Sequence, residues 1–139
     1  MTVRVRGRVA VHPRGFGFLQ LESPQTGSAF IAPPDLNPLL ADDLVSATVS
    51  AAADGRLTAS DLQLVERPRG LLFGEVIQRR GQPHLRVDRE VTNTDWPLGD
   101  DAPKGGHALF RVTPAGLRLA RALGTDDDLS LWQIVARHG

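Results

Sequence analysis

Cysteine is absent from the 139 residues, and disulfide scaffolds, zinc ribbons, iron–sulfur clusters and thiol nucleophiles go with it, since each needs sulfur as staple, ligand or attacking atom. An excess of either charge is absent too. The 16 Lys and Arg balance 16 Asp and Glu, so no whole-molecule field draws the chain onto polyphosphate, and any nucleic-acid site has to be a local patch. No apolar run reaches the length that spans a bilayer. The N-terminal MTVRVRGRVA alternates Arg with Val where a signal peptide needs an unbroken apolar stretch. These features predict a cytoplasmic chain with no membrane contact. A Gly-x-Ser-x-Gly elbow, a phosphate-cradling Gly-Lys-Ser/Thr loop and a paired-carboxylate motif are missing as well, and His12, His84, His107 and His138 lack metal-ligand spacing. No catalytic residue, metal site or cofactor is expected.

What is present is an ordinary globular composition, 41% hydrophobic and 23% charged, long enough for one medium or two small domains. All basic residues but Lys104 are Arg, the side chain whose planar fork pairs bidentately with phosphate or stacks on a base. The polar run Glu66-Arg67-Pro68-Arg69-Gly70 separates two β-rich halves and reads as a linker. In the first half Val3, Val5, Val9 and Val11 share one parity with Gly7, while Arg4, Arg6 and Arg8 take the other, the period of a half-buried strand. Further strands are predicted at Phe16 to Leu21, Ser28 to Ala32, Leu44 to Ala51 and Leu57 to Val65, divided by Pro- and Gly-bearing turns. The Pro-rich stretch from Pro33 to Leu40 suits a short helical turn at one barrel end. The second half offers looser strand candidates at Leu72 to Gln78, Pro83 to Arg89, near Val91 to Leu98, Ala108 to Thr113 and Leu117 to Ala122. A terminal helix follows, capped by Asp126, Asp127 and Asp128 rather than holding a metal there, with Leu129, Trp132, Val135 and Ala136 on one face. The expected fold is all-β: two tandem five-stranded OB-type barrels, 1–67 and 71–124, with a short C-terminal helix or connector at 125–139.

The most informative run is Arg14-Gly15-Phe16-Gly17-Phe18-Leu19-Gln20. Its parity groups Arg14, Phe16, Phe18 and Gln20 on one face, with Gly17, Leu19 and Leu21 on the other. With the leucines inside, both rings face outward, joined by Phe30 from the third strand, and the glycines spare the rings crowding. Flat rings beside guanidiniums are what a single strand of nucleic acid requires. Two Phe at i and i+2 also fit a core face, but both parities cannot face one core. The candidate nucleic-acid-binding residues are Phe16, Phe18, Phe30, Arg14, Arg8, Arg6, Arg4 and His12. In the second half Arg79, Arg80, Arg86 and Arg89 offer further phosphate contacts or a merely solvated hairpin, and Asp42-Asp43 reads as a solvated turn.

The run Arg14-Gly15-Phe16-Gly17-Phe18-Leu19 resembles the first ribonucleoprotein motif of cold-shock domains, usually Lys-Gly-Phe-Gly-Phe-Ile. With Gly7-Arg8-Val9, His12 and Phe30-Ile31-Ala32-Pro33-Pro34 around it, and with Leu123-Gly124-Thr125-Asp126-Asp127 and Ile134-Val135-Ala136-Arg137-His138-Gly139 near the end, the chain is similar to the N-terminal cold-shock region of the ribonuclease II/ribonuclease R exoribonucleases. Free cold-shock proteins carry a Trp in the first strand, where this chain has Ala10 and Val11, and a Val-Phe-Val-His-Phe second motif, where it has Ala29-Phe30-Ile31-Ala32-Pro33. The resemblance implies tandem OB domains that gather single-stranded RNA (or DNA) for a catalytic domain whose aspartates hold Mg²⁺, and a noncatalytic role for these residues. Two other readings stand beside it: an N-terminal fragment or split subunit of a ribonuclease R-like 3'-5' exoribonuclease, and a protein-docking module, with a vestigial RNA face, that meets a catalytic domain or another protein through its C-terminal helix.

Overall fold

A computed structural model describes residues 2–24, 26–124 and 127–138, excluding the side chains of Thr2 and His138. Thr125, Asp126 and Gly139, assigned above to the ends of the terminal helix, lie outside the described residues. In chain order the elements are β1 (Thr2–His12), β2 (Phe16–Leu21), β3 (Ser28–Ile31), α1 (Pro33–Leu36), β4 (Leu44–Ala51), β5 (Leu57–Glu66), β6 (Leu71–Arg79), β7 (Gln82–Val87), β8 (Trp96–Pro97), β9 (His107–Thr113), β10 (Gly116–Leu123) and α2 (Leu129–His138). The protein is all-β apart from the four-residue α1 and the ten-residue α2. It divides into two compact units, Met1–Pro68 with Arg89–Asn93, and Arg69–Asp88 with Thr94–Gly139.

The first unit is a closed barrel in the order β1-β2-β3-β5-β4, completed by β4 against β1. Every pair is antiparallel except β3 with β5, where Phe30 faces Thr58 and Ile31 faces Ala59 in parallel register. That parallel closure needs a connection that crosses an end of the barrel, and α1 lies in it with Leu36 fully buried. Period-two alternation sends Val9, Leu19, Ala29, Ile31, Val45 and Ala47 inward. Gly7 occupies the inward row because a Cβ there would lie 2.5 Å from the Gln20 carbonyl oxygen and 2.7 Å from Leu19 Cγ. Gly17 also faces inward, where a Cβ would meet Leu36 Cδ1 at 2.7 Å and the Ala10 carbonyl oxygen at 2.8 Å. Its missing side chain therefore makes room for α1, not for the neighbouring rings as the sequence reading supposed.

Asp43 corrects a second expectation. It is wholly buried rather than solvated. Its two carboxylate oxygens accept from Arg67 Nε at 2.9 Å and Nη2 at 2.7 Å, and Oδ2 also accepts the Leu40 N–H at 2.8 Å. Arg67 Nη2 further donates to the Pro38 carbonyl at 3.1 Å. A buried carboxylate is tolerable only when its lone pairs are filled in this way, so the end of β5 is tied to the loop that precedes β4.

The strand expected near Val91 to Leu98 is divided. Val91 and Thr92 belong to the first unit, with Ala41 N–H donating to the Val91 carbonyl at 2.7 Å and Thr92 bridged to Leu40. Only Trp96–Pro97 forms a strand, β8. Val91 gains burial and Thr92 gains backbone partners on the loop after α1, which an isolated apolar pattern cannot reveal.

In the second unit the five strands pair in the order β10-β9-β6-β7-β8. The sequence suggested a second barrel. Here five strands form an open sheet among the described residues, ending on a two-residue β8 whose Pro97 lacks an N–H for a further ladder. Phe110, Leu72, Leu85 and Ala108 are buried. Asp128 begins α2: its Oδ1 accepts the Ser130 N–H at 3.1 Å and the Leu131 N–H at 3.3 Å, as an N-cap does. Asp127 instead accepts the Gly124 N–H at 2.7 Å, and that bond, assisted by Arg121, holds its carboxyl below the usual carboxylate range. Of the helix face expected to want a partner, Ala136 is buried and the Arg121 guanidinium sits 4.6 Å from the centroid of the Trp132 ring, while Val135 stays exposed.

Candidate nucleic-acid interface

The ladder between β1 and β2 sets His12 opposite Phe16 and Ala10 opposite Phe18. The ladder between β2 and β3 then sets Phe18 opposite Phe30. Because Leu19, Ala29 and Ile31 fill the barrel, these alternate residues must project outward. Phe16 and Phe18 are half-buried, and Phe30 remains 37% exposed.

The rings form one cluster. His12 and Phe16 stack with centroids 4.5 Å apart and planes 8° from parallel. Phe16 meets Phe18 edge-on at 5.6 Å and lies 6.1 Å from Phe30. Phe18 meets Phe30 edge-on at 6.2 Å. Edge-on packing turns faces in several directions, so flat apolar surface stays open to solvent. Beside it lies a groove of about 650 Å³ lined by Phe16, Phe18, Phe30, Ser28, Arg56 and Leu57 with two glycines.

The cations expected around the rings are not all brought to them. Arg4 sits at the far end of β1, opposite Thr48, where its Nη1 donates to the Asp61 carbonyl at 2.7 Å and pairs with the Asp61 carboxylate at 3.1 Å. Arg8 lies nearer, opposite Gln20, with Nη1 donating to the Asp42 carbonyl at 3.2 Å and Nε 4.0 Å from the Glu22 carboxylate. Arg6 is exposed on the same outer row. Arg14, exposed in the β1–β2 turn, donates its backbone N–H to His12 Nδ1 at 3.2 Å. That bond leaves the other imidazole nitrogen of the stacked His12 as the donor. Arg56, on the β4–β5 turn, lines the groove itself and was not among the candidates. Its signal in the sequence was a basic residue just after the Asp54-Gly55 turn; nothing local could say that this turn comes round beside Phe30.

In the second unit the arginines weighed as phosphate contacts are largely engaged: Arg79 pairs with Asp95 and Arg86 with Glu75. Arg89 belongs to the first unit. Phe73 stacks on His107 at 5.6 Å, and no ring cluster like that of the barrel occurs there among the described residues. Nor do three or more His, Cys, Asp or Glu side chains meet in a metal-holding group among the described residues.

Residues 7–63 match the family model described as the Ribonuclease B OB domain. That stretch runs from β1 to β5 of the first barrel. The match takes in β2, β3 and the turns that bound the groove. Over 158 aligned residues the chain is 29% identical to Exoribonuclease 2 of Sodalis glossinidius (strain morsitans), an alignment covering 99% of this chain and 23% of that protein. The chain thus spans less than a quarter of the length of this curated relative. No described helix is long and apolar enough to cross a membrane.

Proposed function

We propose that these residues form a noncatalytic, cytoplasmic binding module for single-stranded RNA that guides substrate toward an exoribonuclease catalytic domain. The observation that carries the binding role is the outward cluster of Phe16, Phe18 and Phe30 on a closed barrel. Each ring can take one base, and stacking contributes about 1–3 kcal/mol per base without regard to sequence. His12 extends the stack at one end, while Arg14, Arg8 and Arg6 supply positive charge along β1. Arg4, neutralised by Asp61, has no part in this reading. The preference for RNA and the link to an exonuclease rest on the likeness to Exoribonuclease 2.

Titrating the chain against a fluorescent 12-nucleotide single-stranded RNA and following anisotropy tests the proposal. Saturable binding that weakens with salt, with a log–log slope of about −3 for about four neutralised phosphates, is expected. Absence of binding at low salt removes the module reading. Addition of a catalytic domain of the same family should then be required for Mg²⁺-dependent decay of the RNA.

A further inference from the structure

The two flanks of the aromatic cluster differ in how their charged groups are engaged. Reading across the barrel from the cross-strand register, β1 is followed by β2 with Phe16 and Phe18, by β3 with Phe30, and by the start of β5 at Leu57 and Thr58. Beyond β1, a depression of about 550 Å³ is lined by Val9 to Pro13 together with Ala41, Asp42 and Glu90. Asp42 and Glu90 have partners of their own, and Arg8 on that side is engaged with the Asp42 carbonyl at 3.2 Å and the Glu22 carboxylate at 4.0 Å. Beyond β3, Arg56 lines the aromatic groove directly.

Arg56 is also held in place. Its carbonyl accepts the Ala52 N–H at 2.8 Å, its own N–H donates to Asp54 Oδ1 at 3.0 Å, and Gly55 N–H donates to the Ala52 carbonyl at 2.9 Å. Gly55 adopts φ +85°, which a left-handed turn position requires. The Asp54 carboxylate is thereby turned to the backbone, and the Arg56 guanidinium has no hydrogen bond or ion pair among the described residues. An exposed, unpaired Arg on a fixed turn beside three rings is placed to meet an anion. Arg14 lies along the strand direction, at the His12 end, and so does not distinguish the two flanks.

We propose that Arg56 is a phosphate contact of the aromatic groove, so that a bound single strand runs its sugar–phosphate backbone past the β4–β5 turn and directs its bases toward the rings of β2 and β3. This rests on the rings acting as a stacking surface. Arg56 is exposed, so its replacement leaves the core untouched. In anisotropy titrations of the full chain with the 12-nucleotide RNA over a salt series, Arg56→Gln weakens binding about three- to tenfold at low salt and flattens the slope by about 0.7, the value of one lost phosphate contact on a single strand. Arg56→Lys keeps the slope. Arg118→Gln, an exposed cation of the second unit, changes neither. A single methylphosphonate scanned along the RNA weakens wild-type binding at the contacted linkages, and Arg56→Gln erases the sensitivity of one of them. Wild-type affinity and slope in Arg56→Gln, alongside loss of binding in Phe16→Ala/Phe18→Ala, overturn the Arg56 contact and leave stacking in place. An equal effect of Arg118→Gln overturns it as diffuse charge. No binding by the wild type removes both.

Discussion

The two units solve the same problem, covering a five-stranded sheet, in different ways. The barrel buries its inner face by closing on itself, and His12, Phe16, Phe18 and Phe30 gather on its outer face. The second sheet does not close; α2 packs on it through Ala136 and Trp132, and its arginines are used in pairs with Asp95, Glu75 and Asp127. Closure removes the sheet's edges, whereas an open sheet needs another element to cover its apolar face. Composition does not separate these outcomes, since both halves hold arginines and aromatics.

The largest test of the comparison lies in what fixes the barrel. Asp43→Ala removes the carboxylate that Arg67 and the Leu40 N–H share, and breaking such a buried pair is expected to destabilise the first unit by about 3 kcal/mol. Denaturant unfolding with a probe in each unit should show the loss in the first; an equal loss in both would break the division drawn here. Next is the ligand face. Phe16→Ala with Phe18→Ala is expected to weaken RNA binding about 30- to 150-fold, or about 2–3 kcal/mol. Since Phe18 stands directly opposite Phe30, the same change should cost up to about 1 kcal/mol of stability. A double variant that binds as wild type would sink the stacking surface.

Gly17→Ala sharpens the distinction between the two faces of β2. Its Cβ clashes inward with Leu36 and the Ala10 carbonyl, so about 1–2 kcal/mol of stability should go with little change in intrinsic RNA affinity. Changed affinity at unchanged stability would place Gly17 among the rings after all. In the second unit Arg86→Gln removes a cation already satisfied by Glu75, and the salt slope of RNA binding should not move. The smallest effect concerns pH. Because the Gly124 N–H lowers the Asp127 carboxyl in the folded state, its contribution is present at neutral pH and is lost as pH falls below about 4, through the folded value. Thermal unfolding of wild type and Asp127→Asn should differ at pH 7 and converge in acid.

Much of the first barrel could be read directly. Alternating Val and Arg in β1, the outward parity of Phe16, Phe18 and Phe30, and the short helical turn after β3 all follow from period two and from Pro at the helix start. What could not be read involves partners distant in sequence. Asp43 looked solvated because its partner Arg67 is 24 positions away. Arg4 looked like part of the ring patch because it shares a parity with Arg8, but Asp61, 57 positions on, takes it. Val91 and Thr92 looked like the middle of a strand because their apolar pattern does not say which unit they join.

The sequence by itself determined the side-chain alternation, the turns, the outward aromatic row and the absence of sulfur chemistry, since each depends on residue type and on spacing within a few positions. Only the tertiary structure decided that the first sheet closes and the second stays open, that Asp43 is a buried anchor, and that Arg56 rather than Arg4 stands beside the rings. Those outcomes depend on which strand edges and charges meet across the chain, and a period of two carries no information about pairing at a distance.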